Sequence, residues 1–579
     1  GLNLVTGLVH TVDGLVVAMA PRILLFRDEN GDDVADSAGC ILYNGFGRND
    51  THGNLSNLTY GLDNWVYGIM GYNSSNIGGV QFQGSVWRAK SDGSAIERLT
   101  PSSGENTWGL GLTETGQVFY SRANRDHSRH VAFPGAVASA IVSTPNYPCA
   151  AAPSEVPPVP SGVTYSCPRP VTHHWMVNNP GFTSTSNHSI YTARHFPQAY
   201  WDRAAFICES PRHLCHTMFL QKNNSSWRGS ETAGAYNIFA STDGWSAPIA
   251  AHTGPDGAVW VLDWYNYLVS HNWNQPIGTG NAQISAIRDN QHSRIYRVTY
   301  DARPLDAILD LSVMNEDQLL EVLHHPNLLW RLHAQRLLVR RGSNAGLVAK
   351  LNAKLSLRTL DELGETPAVI HALRTLEGFG HFTADPGTWV PVLRGLLLHP
   401  SPGVRWNALD ALPNHAASTT AILEQGRIND PDAHVRLRAL HKLTTLPGTK
   451  SGQMYAPWST LDANTQNRFN AVGGLTASAT MPAVPELQAG TAIQAGDRAP
   501  FSRTVGAVWR GGALHLTGVP ADARGILVVR DLAGAKVAVL RVRDGRAQAA
   551  GFTPPAGTYL FRLDLENGPA GAGKFTLHD

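Results

Sequence analysis

Two spacings of hydrophobic positions divide the chain. In the first half, apolar residues come in short runs set off by Gly, Asp and Asn. Gly7-Leu8 leads through Asp13-Gly14 to Leu15-Val16-Val17, and Gly61 to Asn64 leads to Trp65-Val66-Tyr67. Leu112 leads through Thr115-Gly116 to Val118-Phe119-Tyr120. Gly254-Pro255-Asp256-Gly257 leads to Val259-Trp260-Val261-Leu262. Turn residues between apolar runs of strand length read as hairpins. The turn positions 14, 64, 116 and 257 are 50, 52 and 141 residues apart, and 141 is close to three such units. This period predicts a β-propeller of about six blades over residues 1–300, with an irregular β-sandwich as the alternative.

From residue 301 the spacing becomes helical. Pro326, Arg331 and Ala334 recur as Pro400, Arg405 and Ala408, and again as Pro431, Arg436 and Ala439. Leu337 and Leu338, Leu409 and Leu412, and Leu440 and Leu443 continue each apolar face. Thr366-Pro367 starts a further helix, with Thr as N-cap and Pro at the first helical position. This pattern predicts a HEAT-like α-solenoid over 301–448, each repeat's Arg serving packing and capping. Residues 449–500, rich in Ala, Pro, Gly, Ser and Thr, read as a linker. Residues 501–579 alternate again at Ile526–Arg530, Lys536–Arg543 and Thr558–Leu563, which predicts a small β-sandwich. The fold class is therefore multidomain β and α.

A net charge of +1 without basic or acidic blocks gives no sign of a nucleic-acid or anionic-membrane partner. No apolar run reaches the roughly 20 residues of a membrane span. The chain starts at Gly1 without Met or a signal peptide, and reads as a processed mature chain or a fragment. Cys149 and Cys167 bracket a Pro/Ser-rich loop that a disulfide would staple. Cys208 and Cys215 would form a second bridge, with Cys40 left over; five buried thiols are the alternative. Sequons stand at Asn49, Asn54, Asn57, Asn73, Asn187, Asn223 and Asn224. With low Lys and high Asn, Ser, Thr and Gly, these favour an extracellular or cell-surface glycoprotein.

Several motifs carry candidate chemistry. Asp28, Asn30, Asp32 and Asp36, with the carbonyl of Val34, have the spacing that wraps calcium. Asp33 stands where Gly is usual and Gly39 where a bidentate Glu would be, so the loop is dockerin-like and not an EF-hand. A solvated acidic turn is the alternative. His52, in Asp50-Thr51-His52-Gly53-Asn54, lies in the loop before a strand facing the propeller channel and is a candidate general base. Asn124, within Ser121 to His127, follows another inner strand. Asn187-His188 with Tyr191 and Arg194 is a further group, as is Cys208-Glu209 with His213, Cys215 and His216. Cys208, Cys215 and His216 could hold zinc; no Cys-x-x-Cys-His is present for covalent haem c. Asp263, Asn266 and His271 follow the strongest strand and read as junction residues. The candidate catalytic set is thus His52, Asn124, His188 and His216.

Several segments resemble the propeller family of planctomycete membrane-bound dehydrogenase domain proteins, distantly similar to quinoprotein glucose and sorbosone dehydrogenases. They are LLFRDENGDDVAD, DTHGNLSNLTYGLDNWVYG, SNHSIYTARHFPQAYWDRAAFICES, STDGWSAPIAAHTGPDGAVWVLDWYNYLVSHN, RDNQHSRIYRV, NLLWRLHAQRLLVRRG and VIHALRTLEGFG. The resemblance implies a calcium-binding propeller followed by HEAT-like repeats. It also implies that His52 takes the substrate hydroxyl's proton as hydride passes to pyrroloquinoline quinone. The chain departs from many relatives in ending without a cytochrome module. Its last segment is similar to C-terminal sorting domains of secreted bacterial proteins. Two functions follow as expectations. One is a non-catalytic extracellular binding or assembly protein, with carbohydrate or self-association as partners. The other is a sugar or aldehyde dehydrogenase with His52 as base.

Overall fold

The computed structural model describes residues 2–32, 34–123, 127–131, 140–141, 184–223, 225–230, 237–241, 243, 245–266 and 291–447, and the backbone of seven strands between 506 and 577. Two compact units divide the chain, Gly1–Pro482 and Ala483–Asp579.

The first unit begins with antiparallel sheets that follow one another along the sequence. Sheet 1 is β1 (Gly7–His10), β2 (Leu15–Met19), β3 (Arg22–Phe26) and β4 (Cys40–Asn44). Sheet 2 holds β5 (Leu55–Tyr60), β6 (Val66–Met70), β9 (Ser85–Ala89) and β10 (Ile96–Arg98), and encloses a small hairpin of β7 (Asn76–Ile77) and β8 (Val80–Gln81). Sheet 3 is β11 (Thr107–Leu112), β12 (Val118–Arg122), β13 (Arg129–His130) and β14 (Ala140–Ile141). Sheet 4 is β15 (Ser189–Ile190), β16 (Ala204–Glu209), β17 (Leu214–Asn223) and β18 (Ser226–Ser230), with β19 (Phe239–Ala240) also on β17. Sheet 5 is β20 (Pro248–Thr253), β21 (Val259–Asp263) and β22 (Arg294–Val298). The repeat predicts about six sheets; the described residues form these five and the small hairpin.

The four turn positions read from the sequence are real. Gly14, Asn64, Gly116 and Gly257 all have positive φ, at 141°, 61°, 87° and 79°. Three are Gly and one Asn, the residues that tolerate this backbone best. Alternation then fills the space between sheets. Leu55, Met70 and Trp87 of sheet 2 pack against Val16, Ile23 and Leu25 of sheet 1. Ile69 and Val86 meet Leu110 and Tyr120. Phe119 meets Ile190, Ile207 and Met218, and Phe206 and Phe219 meet Val259 and Val261. Sheets 1 and 5 end the series, and each keeps an exposed apolar face: Leu8 and Ile41 on one, Trp260, Leu262 and Ile295 on the other.

Nine helices follow among the described residues. They are α1 (Glu316–Val322), α2 (Leu328–Arg341), α3 (Ala345–Lys354), α4 (Pro367–Gly378), α5 (His381–Ala384), α6 (Pro386–Leu396), α7 (Pro402–Ala411), α8 (Ala416–Glu424) and α9 (Ala433–Thr445). Asn315, Asn327, Asn344, Asp385, Ser401 and Asp432 cap their helices through side-chain oxygens. Thr366 sits at the N-cap of α4, but its hydroxyl donates to the Thr359 carbonyl and caps nothing. Helices α2, α4, α7 and α9 pack in series. Ala334, Ala372, Ala408 and Ala439 are fully buried along this row, because only a small side chain lets the backbones approach. The repeated arginines share one structural role. Arg331, Arg405 and Arg436 each donate from Nη1 to the carbonyl six residues back, of His325, His399 and Asp430, at 2.6, 2.7 and 2.5 Å.

This helix row covers the hairpin turns of the sheets. Arg336 donates to the Thr11 carbonyl (3.2 Å), Gln335 to Leu62 (2.8 Å), Asn407 to Thr115 (3.0 Å) and Asn327 to Gly254 (2.8 Å). At the opposite end of the sheets, among the described residues, the crossover from β4 to β5 is a loop.

The second unit carries β23 (Gly506–Arg510), β24 (Ala513–Thr517), β25 (Gly525–Arg530), β26 (Lys536–Arg543), β27 (Arg546–Gln548), β28 (Gly557–Leu565) and β29 (Gly571–Leu577). The strands expected here are present. They form a single antiparallel sheet, β23-β24-β27-β26-β25-β28-β29, where two layers were expected. Its edge strands β23 and β29 also come side by side, so the sheet curls towards closure. The linker 449–500 lies outside the described residues.

Candidate functional site

The loop between β4 and β5 is the crossover from sheet 1 to sheet 2, at the end away from the helices. Asp50 caps its short 3-10 turn, Thr51–Gly53, and accepts the His52 backbone N–H at 2.9 Å. The same carboxylate oxygen lies 2.9 Å from His52 Nδ1. An ionised carboxylate only accepts, so Nδ1 carries the proton and Nε2 is the basic nitrogen. Burial works to raise the Asp50 pKa. The Tyr72 hydroxyl and the two His52 bonds outweigh it and hold the carboxyl below its ordinary value. Burial and the bond to Asp50 push the Tyr72 phenol up in turn.

The loop is held from two further sides. Asn73 donates to the Asp50 carbonyl (2.6 Å), and the Asp50 N–H donates back to the Asn73 amide oxygen (3.1 Å). Trp108 Nε1 donates to the His52 carbonyl at 3.1 Å. Gly71 lies so close that a Cβ there would sit 2.7 Å from the Gly53 backbone. The His52 and Asp50 side chains keep 34% and 31% of their exposure, so the pair is fixed yet reachable. The sequence pointed to His52, whereas its partners Asp50, Tyr72 and Asn73 went unread. The signal for Asp50 was local, since an Asp two residues before a His in a tight turn can bond both its N–H and its ring.

The other candidates lie elsewhere. His188 is fully buried, stacked on Phe119 at 5.9 Å, with Nε2 2.8 Å from the Ser128 hydroxyl. Burial lowers its pKa to about 3. His216 is buried with Nδ1 3.1 Å from the Asn237 amide oxygen, and burial lowers its pKa to about 4 despite that bond. Asn124 and His271 lie outside the described residues, as do Cys149, Cys167 and Asn224.

The zinc group does not assemble. Cys215 and His216 are consecutive on β17 and point to opposite faces of the sheet. The cysteine faces sheet 5, and the histidine ring lies 6.0 Å from His127. The calcium loop closes on itself. Asp28 accepts the N–H groups of Gly31 and Asp32, Asn30 that of Asp32, Asp32 that of Val34 and Asp36 that of Glu29, at 2.6 to 3.2 Å. Among the described residues no three His, Cys, Asp or Glu side chains come together to hold a metal ion. Cys208 and Cys215 are free thiols in this structure, so the expected second bridge stands open here. Three sequons fail for want of exposure. Asn54, Asn73 and Asn187 are buried, with their side-chain amides hydrogen-bonded.

No helix among the described residues is long and apolar enough to cross a membrane. No curated protein matches the chain. Among solved structures, virginiamycin B lyase from Staphylococcus aureus is 12% identical, covers 45% of this chain and is itself covered over 64% of its length, with a TM-score of 0.25. The PQQ-bound aldose sugar dehydrogenase from Streptomyces coelicolor is 14% identical over 44% of this chain and 69% of its own, with a TM-score of 0.25. A putative oxidoreductase (glucose dehydrogenase) from Thermus thermophilus is 15% identical over 51% and 97%, also with a TM-score of 0.25. Scores at this level carry no weight for activity. The family model of a domain of unknown function, DUF7133, matches residues 1–302, which is more than half of the 579-residue chain and includes every sheet around His52. The chain belongs to the DUF7133 family.

Proposed function

We propose that the loop end of the sheet array is an active site, with His52 as general base taking the proton of a hydroxyl on a sugar- or aldehyde-type substrate. The observation that carries this reading is the His52–Asp50 pair. A carboxylate held below its ordinary pKa by Tyr72 fixes the imidazole with Nε2 as the acceptor, on a loop clamped by Trp108 and Asn73. A positioned base of this kind contributes about 10²–10⁴-fold to rate. The segments similar to quinoprotein dehydrogenases support a substrate that is oxidised at that hydroxyl.

Pyrroloquinoline quinone, which that resemblance brings with it, would accept the hydride when bound, and its several carboxylates need cations around it. Arg122 and Arg294, at the same end of the sheets, are already held by Glu105 at 2.8 Å and Asp243 at 2.7 Å. Proton transfer is the step proposed for this chain's own residues.

The test is a panel of sugars and aldehydes with an artificial electron acceptor, with and without added quinone and calcium. Turnover that falls at least about 100-fold in His52→Ala, and also falls in Asp50→Asn, supports the assignment. Turnover unchanged in His52→Ala overturns it. A second reading, a non-catalytic extracellular binding or assembly protein, is favoured by the enclosure of His188 and His216, which leaves one exposed histidine of the expected set. Absence of turnover on the whole panel, with binding to immobilised polysaccharide or concentration-dependent self-association, would favour that reading.

A further inference from the structure

Cys208 and Cys215 stand directly opposite each other on β16 and β17, the last residue but one of one strand and the second of the next. Their register matters. The Cys208 carbonyl accepts the Ser186 N–H, so the polar backbone groups of Cys208 face β15 and not β17. The His213 carbonyl accepts the Ser241 N–H, on the β19 side, and Cys215 has the same parity along its strand. The two cysteines are therefore a non-hydrogen-bonded antiparallel pair. Such pairs have the closer Cα spacing, roughly 4.5 Å, which falls within the range of about 4.4–6.8 Å that a disulfide spans. Both side chains point into the same layer between sheets 4 and 5.

We propose that Cys208 and Cys215 are a cross-strand disulfide site that closes when the chain folds in the presence of a small-molecule disulfide oxidant. A thiolate of one cysteine attacks the oxidant and releases one small thiol. The other cysteine then attacks the mixed disulfide and releases the second. One protein S–S bond forms, the oxidant's S–S bond breaks, and the two cysteine protons end on the two released thiols. Burial raises the Cys208 thiol well above its ordinary pKa, so closure belongs to the open or folding chain, and the native dithiol reacts slowly. The bond would pin the turn Ser210–His213. That turn positions Glu209, which accepts the Ser184 N–H, and His213, whose Nδ1 meets the Ser246 carbonyl. This is one wall of the loop end opposite the helices.

The experiment uses the full chain made in reduced form. It is incubated with oxidised glutathione over a series of urea concentrations below unfolding, returned to buffer, alkylated in denaturant and digested without reduction. A peptide pair joined through Cys208 and Cys215, two hydrogens lighter than the sum of the reduced peptides, is expected, with a melting temperature raised by about 2–5 °C over the reduced protein. Mapping the wild-type chain needs no variant that might misfold; Cys208→Ser and Cys215→Ser then each remove the linked pair. Recovery of both cysteines as alkylated peptides at every urea concentration overturns the assignment. So does linkage of either one to Cys40, Cys149 or Cys167 in place of its partner.

Discussion

Acidification from pH 7 to pH 5 is expected to destabilise the first unit through its buried and half-buried histidines. His188 is held neutral by burial with a pKa lowered to about 3, and His216 and His333 are lowered to about 4. In the unfolded chain each would titrate near 6.5. Below that value the unfolded state takes up protons that the native state refuses. The stabilisation is thus complete above about pH 6.5 and shrinks as pH falls towards the folded values. At about 1.4 kcal/mol per pH unit, each group costs about 2 kcal/mol at pH 5, roughly 6 for the three. Glu365 opposes them. Burial raises its pKa to about 7 although Ser401 and Gly403 donate to it. Its protonation on the way to pH 5 returns about 2 kcal/mol. The net loss is about 4 kcal/mol, and His130 and His371, both held well below their ordinary values by burial first, add to it. Domain stabilities are only about 5–15 kcal/mol, so the loss should be plain in urea titrations followed by tryptophan fluorescence at pH 7, 6 and 5. His188→Gln, which keeps a donor for Ser128 but cannot titrate, should recover about 2 kcal/mol of the difference. A midpoint at pH 5 equal to or above that at pH 7 would refute the reasoning.

Four further outcomes are expected. Glu114→Gln should cost about 3–5 kcal/mol in urea denaturation, because buried Arg331 and Arg194 each lose a charged partner held at 2.5 Å; a loss below about 1 kcal/mol would count against it. Gly71→Ala should displace the His52 loop, since the new methyl meets the Gly53 backbone. Its signature is altered His52 modification by diethyl pyrocarbonate, and an unchanged rate would contradict the packing. Calcium or a chelator should move the melting temperature by less than about 1 °C, because the Asp28–Asp36 oxygens already bond their own loop; a calcium-dependent rise of several degrees would show that they let go. Residues 1–302 expressed alone should fail to unfold cooperatively in a thermal melt, as Leu62 and four turn carbonyls lose their helical partners. A sharp transition would separate the sheets from the helices.

What could be read in the sequence was whatever local chemistry fixes. Gly14, Asn64, Gly116 and Gly257 marked true hairpins, because a positive φ restricts the residues that can occupy it. The Pro–Arg–Ala spacing marked true helices, because the arginine reaches its own preceding turn and the alanine admits the neighbouring helix. Contacts made at long range were not legible. His188 and His216 share the neighbourhood of polar residues that suggests a site, but sheet-on-sheet packing buries them, and nothing within their own segments records which face they take. The same holds for Asn54, Asn73 and Asn187, sequons in form and core amides in fact. Cys215 and His216 show the limit most directly. Adjacency in sequence suggested one metal site, while adjacency on a strand sends the two side chains to opposite faces.

The two ends of the sheet array are chemically unlike, and the helices make them so. At the turn end, carbonyls of Thr11, Leu62, Thr115 and Gly254 are each bonded by a side chain from the helix row. The charges there are paired as well, Glu114 serving both Arg194 and Arg331. A surface with its polar groups satisfied by its own chain has little left to offer a ligand. At the loop end, among the described residues, the polar side chains fix each other instead: Asp50 with His52, Glu105 with Arg122, Asp263 and Asp243 with Arg294. Two of these three groupings tie up an arginine, Arg122 with one carboxylate and Arg294 between two. Among these three groupings, His52–Asp50 joins a titratable ring to a carboxylate while the ring keeps a third of its surface exposed. The proposed proton acceptor is therefore placed at His52, the one titratable ring among these three groupings.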